Sequence, residues 1–182
     1  MTQFVAFLRG INVGGHCLVK KEKLRAAFVS LGFSNVSTYK QSGNVIFETD
    51  LDPEAVREKM KHALSQVLNC DAVVLLKTVT QLEEFIKHDP FKNISEEGTS
   101  RLVTFMSDKP KHNLTFPIRI PNSTADIILI TDFEAYSVTR GHGNGGKTNP
   151  YIERRFKTQA TTRNLNIIRE IIQAHYKKNK EQ

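Results

Sequence analysis

The spacing of apolar residues changes repeatedly along the first 77 positions of the chain. Residues 3–9 form a continuous, aromatic-rich apolar run, which predicts a strand, and residues 24–31 carry apolar side chains at helical spacing. Gly32 follows at the position where a left-handed residue ends many helices. The pattern therefore predicts a strand and then an amphipathic helix.

Two more strands, a second helix and a fourth strand are predicted next. Residues 35–41 and 43–49 are joined by a Ser-Gly pair, which is a hairpin signal. Asp52 and Pro53 are a cap and first residue for a helix, and residues 71–77 have strand character. The order is that of the split βαβ, or ferredoxin-like, unit.

The second half repeats this order less clearly. Thr80 is predicted to cap a short helix that ends at His88, and residues 109–121 leave their element undecided. Strands are predicted at 101–107, 125–131 and 135–140. Helices are predicted from Pro150, with Asn149 as its cap, and from Arg163. Relative to the first half, a final strand is missing and the C-terminal helix takes its place.

These elements predict an α+β fold of two ferredoxin-like (split βαβ) halves packed as one compact unit. The N-terminal half covers residues 1–77, and the C-terminal α+β half covers residues 78–182 and ends in basic helices. A chain of 182 residues can bury a core of ordinary size.

Positive charge is concentrated near the C-terminus. The chain carries a net charge of +7, and from Lys147 onward nine Lys or Arg stand against three Glu, a net of +6. A basic lobe of this kind is typical of proteins that bind phosphates or nucleic acid. The alternative is that these side chains only solvate exposed helix faces.

Other composition features exclude several classes of function. The two cysteines, Cys17 and Cys70, lack zinc-binding spacing and are interpreted as reduced thiols. The histidines are scattered, and no apolar run is long enough for a membrane span. We expect a cytoplasmic protein with no cofactor, no metal and no membrane partner.

Three segments resemble a known family. They are Leu8–Gly15 (LRGINVGG), Tyr39–Phe47 (YKQSGNVIF) and the C-terminal Thr162-Arg163-Asn164-x-Asn166. Together they resemble the bacterial family catalogued as domain of unknown function 1697, over nearly the whole chain. The resemblance implies an α+β fold built from ferredoxin-like pieces, and it implies no activity, cofactor or catalytic residue.

The loop after the first strand is one candidate site. Gly10, Gly14 and Gly15 permit positive φ, so successive N–H groups there can form an anion-binding nest, to which Arg9 adds charge. The alternative is a glycine-rich turn that only joins strand to helix.

The segment Gly141–Thr148 (GHGNGGKT) fits the phosphate-binding loop pattern G-x-x-x-x-G-K-T. Such a loop requires a parallel sheet and a later strand that ends in a metal-binding Asp, and the sequence predicts neither. The alternative is a flexible glycine-rich exit from a hairpin.

A third hypothesis is nucleic-acid binding on the open face of the first sheet. Either Phe4 or Phe7, together with Phe47, would stack bases there. The aromatic pattern of RNA-recognition strands is incomplete, and core packing is the alternative. Across all three hypotheses, the candidate ligand-binding residues are Arg9, Gly10, Asn12, Gly14, Gly15, Gln41, Ser42, Asn44, Lys147, Asn149, Arg163 and Asn164.

The function predicted from these residues is the binding of an anion, a phosphate ligand or nucleic acid. A phosphate-handling enzyme that uses the glycine-rich loops and a protein-interaction module are the alternatives. Catalytic residues and oligomeric state are not predicted. Whether the candidate residues converge on one cleft decides between a site and a set of turns and caps.

Overall fold

The computed structural model describes residues 1–12, 17–40, 43–68, 72–95, 97–141 and 146–180. The chain divides into two compact units, Met1–Leu82 and Glu83–Gln182. Each unit contains one antiparallel sheet. The α+β class predicted from the sequence is confirmed.

The first unit has the ferredoxin-like order of elements. Its strands are β1 (Thr2–Arg9), β2 (Ser34–Tyr39), β3 (Asn44–Thr49) and β4 (Val73–Thr78), and its helices are α1 (Lys21–Ser30) and α2 (Pro53–Leu68). The sheet order is β2-β3-β1-β4 with every neighbouring pair antiparallel. This is the arrangement of a split βαβ unit.

Aromatic side chains form the centre of the first unit's core. Phe4 of β1 lies directly opposite Phe47 of β3, and their rings stack with centroids 5.7 Å apart. Phe28 of α1 and Phe33 contact the Phe47 ring at 5.4 and 4.4 Å. All four are buried, so the rings hold the sheet against α1 by apolar burial.

The helix ends of the first unit follow their sequence signals. Gly32 has φ +78° and its N–H bonds to the carbonyl of Val29, while Phe33 bonds to Phe28, which is the Schellman arrangement. The carboxylate of Asp52 accepts hydrogen bonds from the first-turn amides of α2. Both predictions are confirmed.

The next helix, α3 (Val79–His88), begins earlier than predicted. Thr78 Oγ1 accepts from the amide of Gln81, and Gln81 Oε1 accepts from the amide of Thr78, a reciprocal capping box. The prediction of Thr80 as the cap is wrong, because Thr78 has the Gln three positions on that completes this motif.

The described residues of the second unit form five strands and two further helices. Its strands are β5 (Thr99–Met106), β6 (Ile118–Arg119), β7 (Ala125–Ile130), β8 (Glu134–Arg140) and β9 (Ala160–Asn164), and its helices are α4 (Thr148–Phe156) and α5 (Leu165–Lys180). The sheet order is β6-β7-β8-β5-β9. The undecided segment at 109–121 therefore supplies the short edge strand β6.

The final strand predicted to be missing is present as β9, which pairs with β5. The order β7-β8-β5-β9 repeats the order β2-β3-β1-β4 of the first unit, with β6 added at the edge. The strand was missed because its sequence, ATTRN, is short and mostly polar. The helix predicted from Arg163 begins at Leu165, and the side chain of Asn164 accepts from the amide of Asn166 at its start.

The cysteine prediction needs one correction. Cys17 is disulfide-bonded rather than a free thiol; Cys70 lies outside the described residues. Within the described ranges, no helix is both long and apolar enough to cross a membrane.

Candidate functional site

The candidate residues of the first loop are held by local hydrogen bonds. The backbone N–H of Asn12 donates to the backbone carbonyl of Cys17 at 3.0 Å. Its side chain accepts from the amide of Val19 at 2.8 Å and donates to the Val19 carbonyl at 3.0 Å. Arg9 is half-buried at the end of β1, and Gly10 has φ +85°. Asn12 thus closes this loop, while the predicted nest residues Gly14 and Gly15 lie outside the described residues.

The hairpin candidates are not arranged to stack bases. Asn44 is fully buried and donates to the carbonyl of Tyr39 at 3.2 Å, so its amide holds β2 to β3. Phe4, Phe7 and Phe47 are also buried, which supports the core interpretation over base stacking. Gln41 and Ser42 lie outside the described residues.

In the second unit, Asn149 anchors the start of α4. Thr162 Oγ1 donates to Asn149 Oδ1 at 3.2 Å and lies 2.9 Å from Thr104 Oγ1, so Thr104 must be the donor in that second bond. Asn149 is the second residue of α4, not its cap as predicted. Pro150 still fits the first turn, where no backbone N–H is required.

Arg163 is half-buried on β9, and its guanidinium bonds to residues of the same strand. Its Nη1 donates to Thr161 Oγ1 at 2.7 Å and to the carbonyl of Thr162 at 2.9 Å. Burial lowers the pKa of Arg163 to about 10, so the guanidinium stays charged at neutral pH.

The segment that fits the phosphate-binding loop pattern differs from such a loop at its described end. Thr148 is fully buried, whereas the threonine of a phosphate-binding loop must reach a magnesium ion beside the phosphates. The strand before the segment, β8, pairs antiparallel with both of its neighbours. Residues 142–145 lie outside the described residues.

A cleft of about 760 Å³ opens along one side of α4. We call it the α4 cleft. Its lining consists of Ile120, Pro121, Asn122, Lys147, Pro150, Tyr151, Arg154 and Arg155. This volume lies within the range of small-molecule sites in proteins, about 300–1,000 Å³.

Helical periodicity places the basic lining residues on one face of α4. Lys147, Tyr151 and the pair Arg154-Arg155 recur at intervals of three or four residues, which brings them to the same side of a helix. The opposite face of α4 is engaged elsewhere: Asn149 bonds to Thr162, and Glu153, four residues on, accepts from the amide of Ala160 at 3.0 Å. These bonds to β9 fix the rotation of α4 and therefore the direction of its cleft face.

The opposite wall of the cleft is the turn between β6 and β7. The amide of Ile120 bonds to the carbonyl of Ala125 at 3.0 Å and closes this turn. Asn122 sits within it at φ +54°, a left-handed conformation that Asn tolerates. Lys147 Nζ donates to the backbone carbonyl of Asn122 and so links the helix to the turn.

The charge of the α4 cleft is entirely positive among its described lining residues. Three of the eight lining residues are Lys or Arg, and none is Asp or Glu. Neither Arg154 nor Arg155 forms an ion pair with any residue in the described part of the chain. Asp126, on the adjacent strand, is already paired with Arg119 and Arg140 at 2.8 and 2.6 Å. The cleft is therefore suited to an anion.

Comparison with known proteins places the chain in a family. The family model described as "Protein of unknown function (DUF1697)" matches residues 1–136. The chain belongs to this family. The resemblance predicted from the Leu8–Gly15 and Tyr39–Phe47 segments is confirmed, and the matched residues end before α4.

The structural comparison extends over more of the chain. The conserved bacterial protein SP0830 from Streptococcus pneumoniae is similar at 19% sequence identity, with a TM-score of 0.63, and the alignment covers 94% of this chain and 97% of that chain. Similarity at this level shows the fold. The search of curated proteins gave no match.

In this DUF1697 member, one predicted site residue, Lys147, lies in the α4 cleft. Asn149, Arg163 and Asn164 hold local structure in the same unit. Sequence reasoning missed Asn122 and Tyr151, and it counted Arg154 and Arg155 only as part of a basic lobe. Their spacing from Lys147 along a helix was the available signal.

Proposed function

We propose that the α4 cleft binds a ligand that carries phosphate. The observation that carries this proposal is the set of three cations, Lys147, Arg154 and Arg155, that line one concave surface without a carboxylate among the described lining residues. Like charges gathered in this way repel one another, and an anion bound between them removes that repulsion.

The cation types favour phosphate over a simple halide. Arg presents a planar fork of N–H groups that matches two oxygens of one phosphate, and Lys supplies a compact point charge. The first turn of α4 adds to this field, because no side chain caps it and a helix N-terminus carries partial positive charge. The long-range field has the same sign, since the last 36 residues carry a net charge of +6.

Binding, rather than nucleotide hydrolysis, is the function proposed. Burial of Thr148 removes the hydroxyl that would hold magnesium in a phosphate-binding loop. Within the described residues, no group of three His, Cys, Asp or Glu side chains is arranged to hold a metal ion. The predicted glycine nest around Gly10, Gly14 and Gly15 remains a separate prediction that concerns the first unit.

Thermal unfolding in inorganic phosphate tests the proposal. A ligand that binds only the folded protein raises its melting temperature by mass action, so the parent should melt at rising temperature as millimolar phosphate is added at constant ionic strength. The double variant Arg154→Gln/Arg155→Gln should lose most of that rise. Lys92→Gln is the matched control, because Lys92 is exposed in the same unit and does not line the cleft. Equal rises in the parent and the double variant would contradict the proposal.

A further inference from the structure

We infer that the ligand of the α4 cleft is a nucleotide unit, with its phosphate on the cations and its planar ring against Tyr151. This inference rests on the proposed function and adds the part of the ligand that is not charged. It follows from the uncharged residues that line the cleft beside the three cations.

Tyr151 is placed as a fixed platform. It lines the cleft and also packs against the core cluster of the second unit that contains Ile120, Ile127 and Ile152. Its ring is half-buried, and its hydroxyl has no hydrogen-bond partner among the described residues. A ring held from behind loses little conformational freedom when a ligand stacks on it.

The rest of the uncharged lining supports a flat ring rather than an ion alone. Pro121 and Pro150 are exposed and contribute apolar surface beside the ring of Tyr151, whereas Ile120 lines the cleft but is itself buried. A bare phosphate would leave this surface in contact with water. A purine or pyrimidine ring would cover it and gain both apolar burial and stacking.

The order of groups along α4 fits the order of groups in a nucleotide. Lys147 and Arg154 are seven residues apart, which is about 10 Å along a helix, and Tyr151 lies between them. A phosphate at either end of the cleft therefore leaves its attached ring within reach of Tyr151. The side-chain amide of Asn122, on the opposite wall, offers both a donor and an acceptor to a base edge.

Calorimetric titration tests this inference with two phosphate esters, of which only one carries a base. Adenosine 5′-monophosphate should bind about tenfold more tightly than ribose 5-phosphate, because stacking of a base on an aromatic side chain contributes a factor of about 5 to 150. Tyr151→Leu should bring the two affinities within about twofold of each other, because it removes the ring on which the base stacks. Tyr151→Phe, which keeps the ring, should retain the preference and confirms that the fold tolerates change at this position.

The outcomes separate this inference from the proposed function. Equal affinities for the two ligands in the parent would overturn the nucleotide inference and leave phosphate binding intact. Heat from neither ligand would overturn both. A short oligothymidylate distinguishes a nucleic acid from a free nucleotide as the source of this unit. If the source is a nucleic acid, the strand should bind more tightly than the monophosphate. The logarithm of its binding constant should then fall with the logarithm of salt concentration, with a slope of about 0.7 for each phosphate neutralised.

Discussion

Lys147 and Asn122 join the two walls of the α4 cleft through one hydrogen bond, from the lysine ammonium to the asparagine carbonyl. The bond uses one of the three ammonium N–H groups and leaves the charge of the lysine uncompensated, because a backbone carbonyl is neutral. Lys147 can therefore hold the turn in place and still contact an anion.

Replacing Lys147 separates these two roles. Lys147→Gln should weaken phosphate binding about tenfold, because it removes a charge-assisted contact, and should change the free energy of unfolding by no more than about 1 kcal/mol. Phosphate titration and urea unfolding of the same variant measure the two quantities, with Lys92→Gln as the charge control. Unchanged affinity in Lys147→Gln would remove Lys147 from the site.

A substitution at Gly43 tests the packing of the Tyr39–Phe47 segment, one of the three that resemble the family. The residue has φ +70°, and an added Cβ would lie 2.9 Å from Ile11 Cδ1 and 3.2 Å from Leu8 Cβ. Gly43→Ala should therefore lower the free energy of unfolding by about 2–4 kcal/mol, which combines left-handed strain with overpacking.

Gly98 provides the matched control for Gly43. It has φ +62°, and no described heavy atom lies within 4 Å of its added Cβ. Gly98→Ala should cost only the strain component, about 1–2 kcal/mol. Equal losses in the two variants by urea unfolding would show that steric contact at Ile11 and Leu8 contributes nothing.

The buried phenol of Tyr136 makes the free energy of unfolding depend on pH in the alkaline range. Its ring stacks on Phe85, and burial, with a smaller effect from the charge of Glu134, raises its pKa to about 12. The folded protein therefore keeps the phenol proton where the unfolded chain, with a tyrosine pKa of 10.0, has lost it. The stabilisation is complete below pH 10 and is lost as pH rises from about 10 to about 12.

The variant Tyr136→Phe removes this titration. Between pH 8 and pH 11 the parent should lose about 1 kcal/mol more unfolding free energy than the variant does, as measured in urea. The other three tyrosines are present in both proteins and cancel in the difference. Parallel pH profiles for the two proteins would contradict the raised pKa.

The first unit was predictable because its signals are local and agree with one another. Gly32 and Asp52 end and begin their helices as their residue types predict, and the apolar periods of β1 and α2 place their side chains in the core. The second unit was harder, because β9 has little apolar pattern and is defined by its pairing with the distant strand β5. No local signal reports such a pairing.

The candidate site was only partly predictable for a related reason. Glycines and asparagines in loops are predicted as ligand contacts. The side chains of Asn12, Asn44 and Asn164 instead form hydrogen bonds with backbone groups of this chain. The α4 cleft instead depends on which face of one helix meets the turn at Asn122, 25 residues before Lys147. That meeting is a tertiary contact, which residue spacing along α4 alone does not define.

Backbone amide chemical shifts of the uniformly labelled parent protein, followed during titration with inorganic phosphate, test the location of the site most directly. We predict that the largest saturable changes fall on Asn122, Lys147, Tyr151 and Arg154, within the α4 cleft. Largest changes at Arg9 to Asn12, or small uniform changes over the whole chain, would contradict it.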